Sequence, residues 1–222
     1  MVRPSLEDVL SKAAELQELV PGAVLVGGTA AAVHAGHRES VDNDHVLADL
    51  AERFDSILEN LEALGDWSLS RAQPGKIILG ELGGIETGVR QLQRSRALET
   101  TNVEVRGRKL AVPTPEEILR IKAWLALTRN QTRDYLDIAA LADRLGIDHA
   151  AAVLRAMDDY YADINQRPEA VATQLVRQLA DPRPRDARVT RELGSYKGLA
   201  ERWHDWSAVC GVLAELAEAI VS

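Results

Sequence analysis

The sequence predicts an α+β protein, with a mixed sheet flanked by helices and followed by a helical C-terminal part. Short apolar runs bounded by turn residues, typical of strands, fall between residues 23 and 112. After residue 113, apolar residues recur at three- and four-residue steps, as on amphipathic helices. Most strand-like runs follow one another directly, which favours α+β over repeated βαβ units. We therefore predict a core of residues 1–112 and a helical domain of residues 113–222 packed on it.

The composition is that of an ordinary globular protein. Of the 222 residues, 46% are hydrophobic and 27% are charged, and no apolar run reaches the roughly 18 residues of a membrane span. The N-terminus leads into an amphipathic helix and lacks the pattern of a secretory signal. Cys210 is the single cysteine, which excludes an intrachain disulfide. These features predict a cytoplasmic protein without a membrane partner.

The charge is unevenly distributed along the chain. The net charge is −8, but residues 71–133 hold 12 Lys and Arg against 6 Asp and Glu, a local charge of +6. If these cations share one surface, that surface can attract a polyanion although the whole protein is acidic. If they lie on separate faces, no such field arises. Both interpretations stay open at this point.

Four elements are predicted in the first 46 residues. A helical stripe with Ser5 as its N-cap comes first, and two strand-like runs follow, separated by an alanine-rich helix. Gly27 and Gly28 make the turn between the first strand and that helix. The elements are a helix over residues 5–19, a strand over residues 23–26, a helix over residues 30–33 and a strand over residues 41–46.

This segment contains the residue types of a nucleotide site. If residues 41–46 form a strand, Asp42 and Asp44 point to the same face, about 7 Å apart, and a cation between them would offset their repulsion. Mg²⁺ prefers such carboxylate oxygens and often keeps a substrate phosphate as a further ligand. Gly27 and Gly28 at the start of a helix offer bare N–H groups and the positive end of the helix to phosphates.

The remaining elements follow from similar local signals. Gly83 and Gly84 separate two strand-like runs and predict a hairpin. Thr114 and Pro115 have the N-cap and first-turn chemistry that begins a helix. The predicted elements are a helix over 47–65, strands over 67–70, 76–82, 85–92, 103–105 and 110–112, and helices over 118–128, 133–141, 148–161, 168–179 and 199–221.

Taken in order, Gly-Gly-Thr, a short helix, Gly-His-Arg-x-Ser and Asp-x-Asp resemble the nucleotidyltransferase core of the DNA polymerase β superfamily. More narrowly, the segment resembles the AbiEii/AbiGii-type toxins of type IV toxin–antitoxin systems and the related MenT toxins. The resemblance implies that Asp42 and Asp44 are catalytic and bind Mg²⁺, with Mn²⁺ as an alternative. It implies that an NTP is held by Gly27, Gly28, Thr29, His37, Arg38 and Ser40.

A second motif follows in the helical part. By spacing alone, Lys122 lies beside an apolar stripe and either extends to solvent or faces an anion, and Arg133 and Asp137 are spaced for an ordinary ion pair. The resemblance extends to this lysine and to Arg-Asp-x-x-Asp. It implies that Lys122 contacts the triphosphate and that Asp137 acts as general base or orients the acceptor. Arg133 and Asp134 are then supporting residues.

The polymerase-β-like core usually has a third carboxylate, for which Glu86 and Glu104 are candidates. Neither stands in a motif that can be matched residue by residue. An exposed strand glutamate is the simpler interpretation of each. The number of bound metal ions therefore stays open.

The resemblance also implies an activity and partners. It implies transfer of a nucleoside monophosphate from ATP, CTP, GTP or UTP to an acceptor RNA. The 3′ end of tRNA is the expected acceptor, so that translation is blocked, and a cognate antitoxin protein is expected. Two alternatives remain: an inactive nucleotide- or partner-binding module of the same fold, and transfer onto protein. The oligomeric state is open, with a monomer among the options.

Overall fold

The protein is described from a computed structural model, which covers residues 4–196 and 198–222. Contacts between Cα atoms divide the chain into two compact units. A sheet dominates the first unit and helices dominate the second. The first comprises the chain up to Ala30 together with Ser40–Thr114, and the second comprises Ala31–Glu39 together with Pro115–Ser222.

The observed division differs from the predicted one at residues 31–39. We predicted this segment within the sheet-containing core, but it belongs to the helical unit. The reason is a set of polar contacts within that unit. His37 and Arg38 bond to Asp137, and the carbonyl of His37 accepts a hydrogen bond from the backbone N–H of Ala200.

The first unit contains a five-stranded sheet and a separate two-stranded sheet. The strands are β1 (Val24–Leu25), β2 (Asn43–Leu47), β3 (Trp67–Gln73), β4 (Ile77–Leu82), β5 (Ile85–Gln91), β6 (Thr100–Val105) and β7 (Arg108–Pro113). The large sheet has the order β1-β2-β5-β4-β3. Strands β2 and β5 are parallel and the other neighbours are antiparallel. The predicted mixed sheet is therefore present, but β6 and β7 pair only with each other in the second sheet.

Helices cover one face of the large sheet. The first three are α1 (Leu6–Leu19), α2 (Gly27–Ala35) and α3 (Leu50–Glu62). The hydroxyl of Ser5 accepts a hydrogen bond from the N–H of Asp8, which confirms the predicted N-cap of α1. One core cluster joins α1 and α3 to the sheet; its sheet members are Leu47, Ile78, Leu82 and Val89. The alternate positions of β2, β4 and β5 therefore point away from this core.

The second unit is helical, as predicted for the C-terminal part. Its helices are α4 (Pro115–Thr128), α5 (Thr132–Leu145), α6 (Ile147–Arg155), α7 (Asp158–Tyr161), α8 (Val171–Ala180), α9 (Ala187–Arg191) and α10 (Trp206–Val221). Helix α5 is central, with nearly every residue of its first three turns buried. Trp206 at the start of α10 packs edge-on against Tyr135 of α5, with 6.1 Å between the ring centroids. The α+β class with a mixed sheet and flanking helices is confirmed.

Candidate active site

The predicted site residues fall into two groups, one in each unit. Gly27, Gly28, Thr29, Ser40, Asp42 and Asp44 belong to the sheet-containing unit. His37, Arg38, Lys122, Arg133, Asp134 and Asp137 belong to the helical unit. Each group has a geometry of its own.

Asp44 lies on β2 and faces away from the core. Its neighbours in the strand, Asn43 and His45, are buried on the core side, as strand alternation requires. The side chain of Asp44 is 40% exposed, and its Oδ1 lies 3.7 Å from Nε of Arg90 on β5. Asp44 thus presents a solvent-accessible carboxylate that already attracts one cation.

Glycines stand on two sides of this carboxylate. Gly27 has a left-handed backbone (φ 72°), and a Cβ there would lie 2.9 Å from Oδ2 of Asp44. Gly88 is directly opposite Asp44 on β5, and a Cβ there would lie 3.5 Å from Oδ1. A side chain at residue 27 would therefore displace Asp44. Because glycine has no side chain, the start of α2 can approach Asp44 closely.

The start of α2 suits an anion. The first N–H groups of a helix have no partner within the helix and carry its partial positive charge. The first bond of the helix runs from the N–H of Ala30 to the carbonyl of Val26. The N–H groups of Gly27 and Gly28 precede this bond and take no part in the helical ladder. The helix begins at Gly27 and not at residue 30 as predicted, so both glycines belong to its first turn.

Asp42 lies just before β2, because the strand begins at Asn43 and not at residue 41. The carbonyl of Asp42 is 2.5 Å from the hydroxyl of Thr29, and this contact holds the segment outside the strand ladder. The predicted strand spacing therefore does not describe the pair. Asp42 is exposed and precedes Asp44 by two residues, so both carboxylates remain near the start of β2.

Thr29 and Ser40 bond to the chain itself through their hydroxyl groups. We predicted both among the nucleotide-binding residues. Thr29 is fully buried, and its hydroxyl lies 2.9 Å from that of Ser40 in addition to its bond to Asp42. These hydroxyls tie the start of α2 to the segment before β2. They position Asp42 and the glycine turn, and nucleotide binding by these two residues stays a prediction.

The two candidates for a third carboxylate are separated by the topology. Glu104 lies on β6, in the separate two-stranded sheet, where it pairs with Lys109. Glu86 lies on β5, two residues before Gly88 and thus on the face of Asp44. The sequence could not distinguish them, because it does not reveal which strands are neighbours. Glu86 is the remaining candidate.

The donor set fits a hard divalent ion held partly by substrate. Within residues 4–196 and 198–222, no group of three or more His, Cys, Asp or Glu side chains could enclose a metal. Asp42 and Asp44 are two hard oxygen donors with a glycine-lined space beside them. Mg²⁺ commonly takes one or two carboxylates and completes its shell with water and phosphate oxygens.

In the helical unit, Asp137 is the centre of a buried ion cluster. Its Oδ2 lies 2.6 Å from Nζ of Lys122, and its Oδ1 lies 2.8 Å from both Nε of Arg38 and Nε2 of His37. The side chains of Asp137 and Lys122 are 0% and 1% exposed. Although burial acts to raise it, the pKa of Asp137 is held well below its usual value by Lys122 and Arg38. Asp137 is therefore an ionised counter-ion at neutral pH.

These contacts change two predicted roles. A general base must take up a proton near neutral pH, and Asp137 is both too acidic and too fully bonded for that role. That Asp137 orients the acceptor stays a prediction; in the structure its carboxylate holds Lys122 and Arg38. Lys122 neither extends to solvent nor stands free for a triphosphate, because its ammonium is held by Asp137 and lies 3.9 Å from Asp134.

A second carboxylate extends this cluster. Asp134 forms a two-armed contact with Arg129, at 2.6 and 2.5 Å. Arg129 was not predicted, because it is separated from Asp134 by a turn at Asn130, whose left-handed backbone (φ 54°) turns the chain back. Arg133 was predicted as a supporting residue, and its buried Nε has no hydrogen-bond partner among the described residues. Arg38, Lys122 and Arg129 thus contact the carboxylates of Asp134 and Asp137.

A known family matches the part of the chain that contains the buried ion cluster. The model for the nucleotidyl transferase AbiEii toxin of type IV toxin–antitoxin systems matches residues 84–213, more than half of the chain. The matched range contains Lys122, Asp134 and Asp137. It begins after Asp44, so the glycine turn and the aspartate pair rest on the sequence motif and on the geometry above.

Solved structures show the same fold at low sequence identity. The MenT4 nucleotidyltransferase toxin of Mycobacterium tuberculosis is 15% identical, with a TM-score of 0.57 over 98% of this chain and 83% of that one. A nucleotidyltransferase of Helicobacter pylori is 15% identical, with a TM-score of 0.51 over 96% and 92%. The antibiotic-resistance factor ANT(2″)-Ia is 14% identical, with a TM-score of 0.51 over 71% and 94%.

Curated relatives match only in part. The mycolic acid-containing lipids exporter MmpL11 of Mycolicibacterium smegmatis is 42% identical over 113 residues, which is 50% of this chain and 12% of that protein. The heme uptake protein MmpL11 of Mycobacterium tuberculosis is 44% identical over 110 residues, 48% and 11% respectively. The chain thus spans about one-eighth of the length of these relatives. No helix in the described part of this chain has the length and apolarity of a membrane span.

Proposed function

Because the chain belongs to the AbiEii nucleotidyltransferase toxin family of type IV toxin–antitoxin systems, we propose that it transfers a nucleoside monophosphate from an NTP to the 3′ end of tRNA. The acceptor hydroxyl oxygen forms a bond to the α-phosphorus. The bond between that phosphorus and the bridging oxygen breaks, pyrophosphate leaves, and the hydroxyl proton passes to solvent. Blocking the 3′ end would stop translation, and a cognate antitoxin would restrain the toxin.

One observation carries this proposal: the closeness of Gly27 to Asp44. It brings the first N–H groups of α2 next to the exposed carboxylate of Asp44. Groups that can bind a phosphate and a group that can bind a metal ion therefore lie side by side. Mg²⁺ bound there would neutralise charge that develops on the phosphates in the transition state. The chain itself would hold the phosphates through the N–H groups at Gly27 and Gly28. Thr29 and Ser40 would keep that turn and Asp42 in place.

The helical unit would contribute fixed positive charge. Asp137 holds Lys122 and Arg38 in single positions, and preorganised charge needs no rearrangement at the moment of reaction. That these residues complete the active site remains a prediction from the sequence.

The activity is tested by incubating the protein with each α-³²P-labelled NTP, Mg²⁺ and total tRNA. We expect label on tRNA, and its loss with Asp42→Asn or Asp44→Asn. Full activity in either variant would refute the metal role. Label on protein would identify a protein acceptor, and nucleotide binding without transfer would identify an inactive binding module.

A pair of glycine variants tests the carrying observation. Gly27→Ala and Gly107→Ala both place alanine at a left-handed position, at φ 72° and 78°, but only the first meets Asp44; nothing lies within 4 Å of a Cβ at residue 107. Both should lose about 1 kcal/mol of stability. Transfer should fall about 100-fold or more with Gly27→Ala alone, a loss similar to removing one phosphate-binding donor. Equal activity in the two variants would contradict the proposed site.

A further inference from the structure

The face of the large sheet that carries Asp44 has an ordered arrangement of side chains. Cross-strand pairing sets these residues in rows that run across the strands. The row of Asp44 continues through Gly88 and Leu79 to Arg71. The row on one side of it consists of Val46, Arg90, Ile77 and Gln73. The row on the other side consists of Glu86, Glu81 and Ser68.

A β-bulge brings Arg71 to this face. Residues two apart on a strand normally share a face, so Arg71 would point to the side of Leu69. Between them the register with β4 slips: Leu69 pairs with Gly80, and Arg71 pairs with the next residue, Leu79. The extra residue, Ser70, turns Arg71 to the face of Asp44. Bulges of this kind commonly redirect a side chain beside an active site.

Besides Asp44, four charged side chains lie on this face. Arg71 and Arg90 are exposed on one side of it, and Glu81 and Glu86 are exposed on the other. Between Asp44 and Arg71 lies an apolar surface: Leu79 is half-buried, and its Cδ2 would be 2.8 Å from a Cβ on Gly88, so it covers the space that this glycine leaves. Three strand spacings separate Asp44 from Arg71, which is about 14 Å.

We propose that this face binds the single-stranded 3′ end of the acceptor RNA. Arg71 and Arg90 would contact phosphates, and a base would lie on Leu79 beside Gly88. Proteins that bind single strands combine cations along the backbone with side chains, usually aromatic, against which bases stack, and RNA is usually read in single-stranded segments. Here Leu79 would offer an aliphatic contact in place of an aromatic one. This surface ends at Asp44, where the reacting hydroxyl must lie. The inference rests on the proposed function, since it takes RNA as the acceptor.

The probe is a short 5′-fluorescein-labelled single-stranded RNA ending in CCA, titrated without NTP or Mg²⁺ and followed by fluorescence anisotropy. Arg71→Ala should raise the Kd roughly fivefold to tenfold and lower the salt slope by about 1, as the loss of one phosphate contact does. The matched control is Lys109→Ala, which removes an exposed cation from the separate two-stranded sheet and should change nothing. Circular dichroism melting checks that both variants fold.

Several outcomes separate this inference from the proposed function. RNA binding by Arg71→Ala equal to that of Lys109→Ala would overturn the inference, even if the wild type transfers label to tRNA. Binding that depends on Arg71 without any transfer would support the inference and overturn the proposed activity. If a poly-glutamate peptide binds in an Arg71-dependent way and the RNA does not, the face is a protein-binding surface and the inference is overturned.

Discussion

Asp44 and Asp137 are both predicted catalytic aspartates, but their surroundings are opposite. Asp44 is 40% exposed, its cationic neighbour Arg90 is half-exposed at 3.7 Å, and glycines leave space around it. Asp137 is fully buried and is bonded at once to Lys122, Arg38 and His37. One carboxylate is open to a ligand that is not part of the chain. The other has already been neutralised by the chain.

The difference indicates how to assign roles to carboxylates in such a site. A buried carboxylate needs compensating charge to remain ionised, so its partners and position are fixed by folding. An exposed carboxylate costs little to keep charged, so it can exchange an arginine for a metal ion. Asp44 therefore suits ligand binding, and Asp137 suits the positioning of Lys122 and Arg38. Variants at the two positions can test this contrast.

The largest expected effect is on stability. Asp137→Asn leaves Lys122 and Arg38 buried without their counter-charge, which should cost about 3–5 kcal/mol and lower the Tm by about 10 °C. Asp44→Asn, the same chemical change at the exposed position, should alter the free energy of unfolding by no more than about 0.5 kcal/mol. Thermal unfolding followed by tryptophan fluorescence measures both.

A tryptophan substitution makes this measurement specific to one unit. Of the four tryptophans, only Trp67 lies in the sheet-containing unit, so a Trp67→Phe background reports the helical unit through Trp124, Trp203 and Trp206. In that background the Tm should fall with Asp137→Asn and not with Asp44→Asn. Equal melting temperatures for the two variants would refute the role of Asp137 as a buried anchor.

The second prediction concerns acid sensitivity of the sheet-containing unit. Burial lowers the pKa of His45, on the core side of β2, to about 4. In the unfolded chain the imidazole of His45 binds a proton below its ordinary pKa of 6.5. Stability that is present above pH 6.5 is therefore lost as the pH falls towards 4, by about 3 kcal/mol in total. Asp137, whose pKa is lowered, loses its contribution to stability only as the pH falls below the ordinary carboxyl pKa of 3.8.

Urea unfolding at several pH values measures this contribution. His45→Leu should remove most of the loss between pH 6.5 and 4, because the titrating group is gone and an apolar side chain suits the core. His149→Gln is the control, since His149 is half-exposed beside Glu116 and its loss should leave the pH profile unchanged. A wild-type profile that stays flat over this range would show that His45 does not make this contribution.

Much of the fold could be predicted because its signals are local. The N-cap at Ser5 and the hairpin at Gly83 and Gly84 each depend on neighbouring residues, and both are present. Which strands are paired is not a local property, so the separate sheet of β6 and β7 was missed. The start of β2 was also misplaced, because the contact of Thr29 with Asp42 joins residues 13 apart.

The candidate site shows the same limit. The candidate residues could be selected from their types and from the resemblance to a known family. Neither shows that Asp137 bonds to Arg38 across 99 positions, or that the parallel pairing of β2 and β5 brings Arg90 beside Asp44. Asp42, Asp44, Lys122 and Asp137 were selected together as catalytic. Only burial and partners separate Asp44, which is 40% exposed, from Lys122 and Asp137, which are buried and bonded to each other.

The smallest expected effect concerns Arg90, the cation beside Asp44. Both side chains of this pair are about half-exposed, so solvent and salt screen their attraction. Arg90→Gln should therefore change the free energy of unfolding by no more than about 0.5 kcal/mol. Arg38→Gln removes a cation from buried Asp137 and should cost several times more, because the carboxylate is left undercompensated out of water. Urea unfolding of both variants compares them directly. A cost for Arg90→Gln that equals the cost for Arg38→Gln would show that Asp44, too, depends on its arginine, and the contrast between an open and an anchored aspartate would fail.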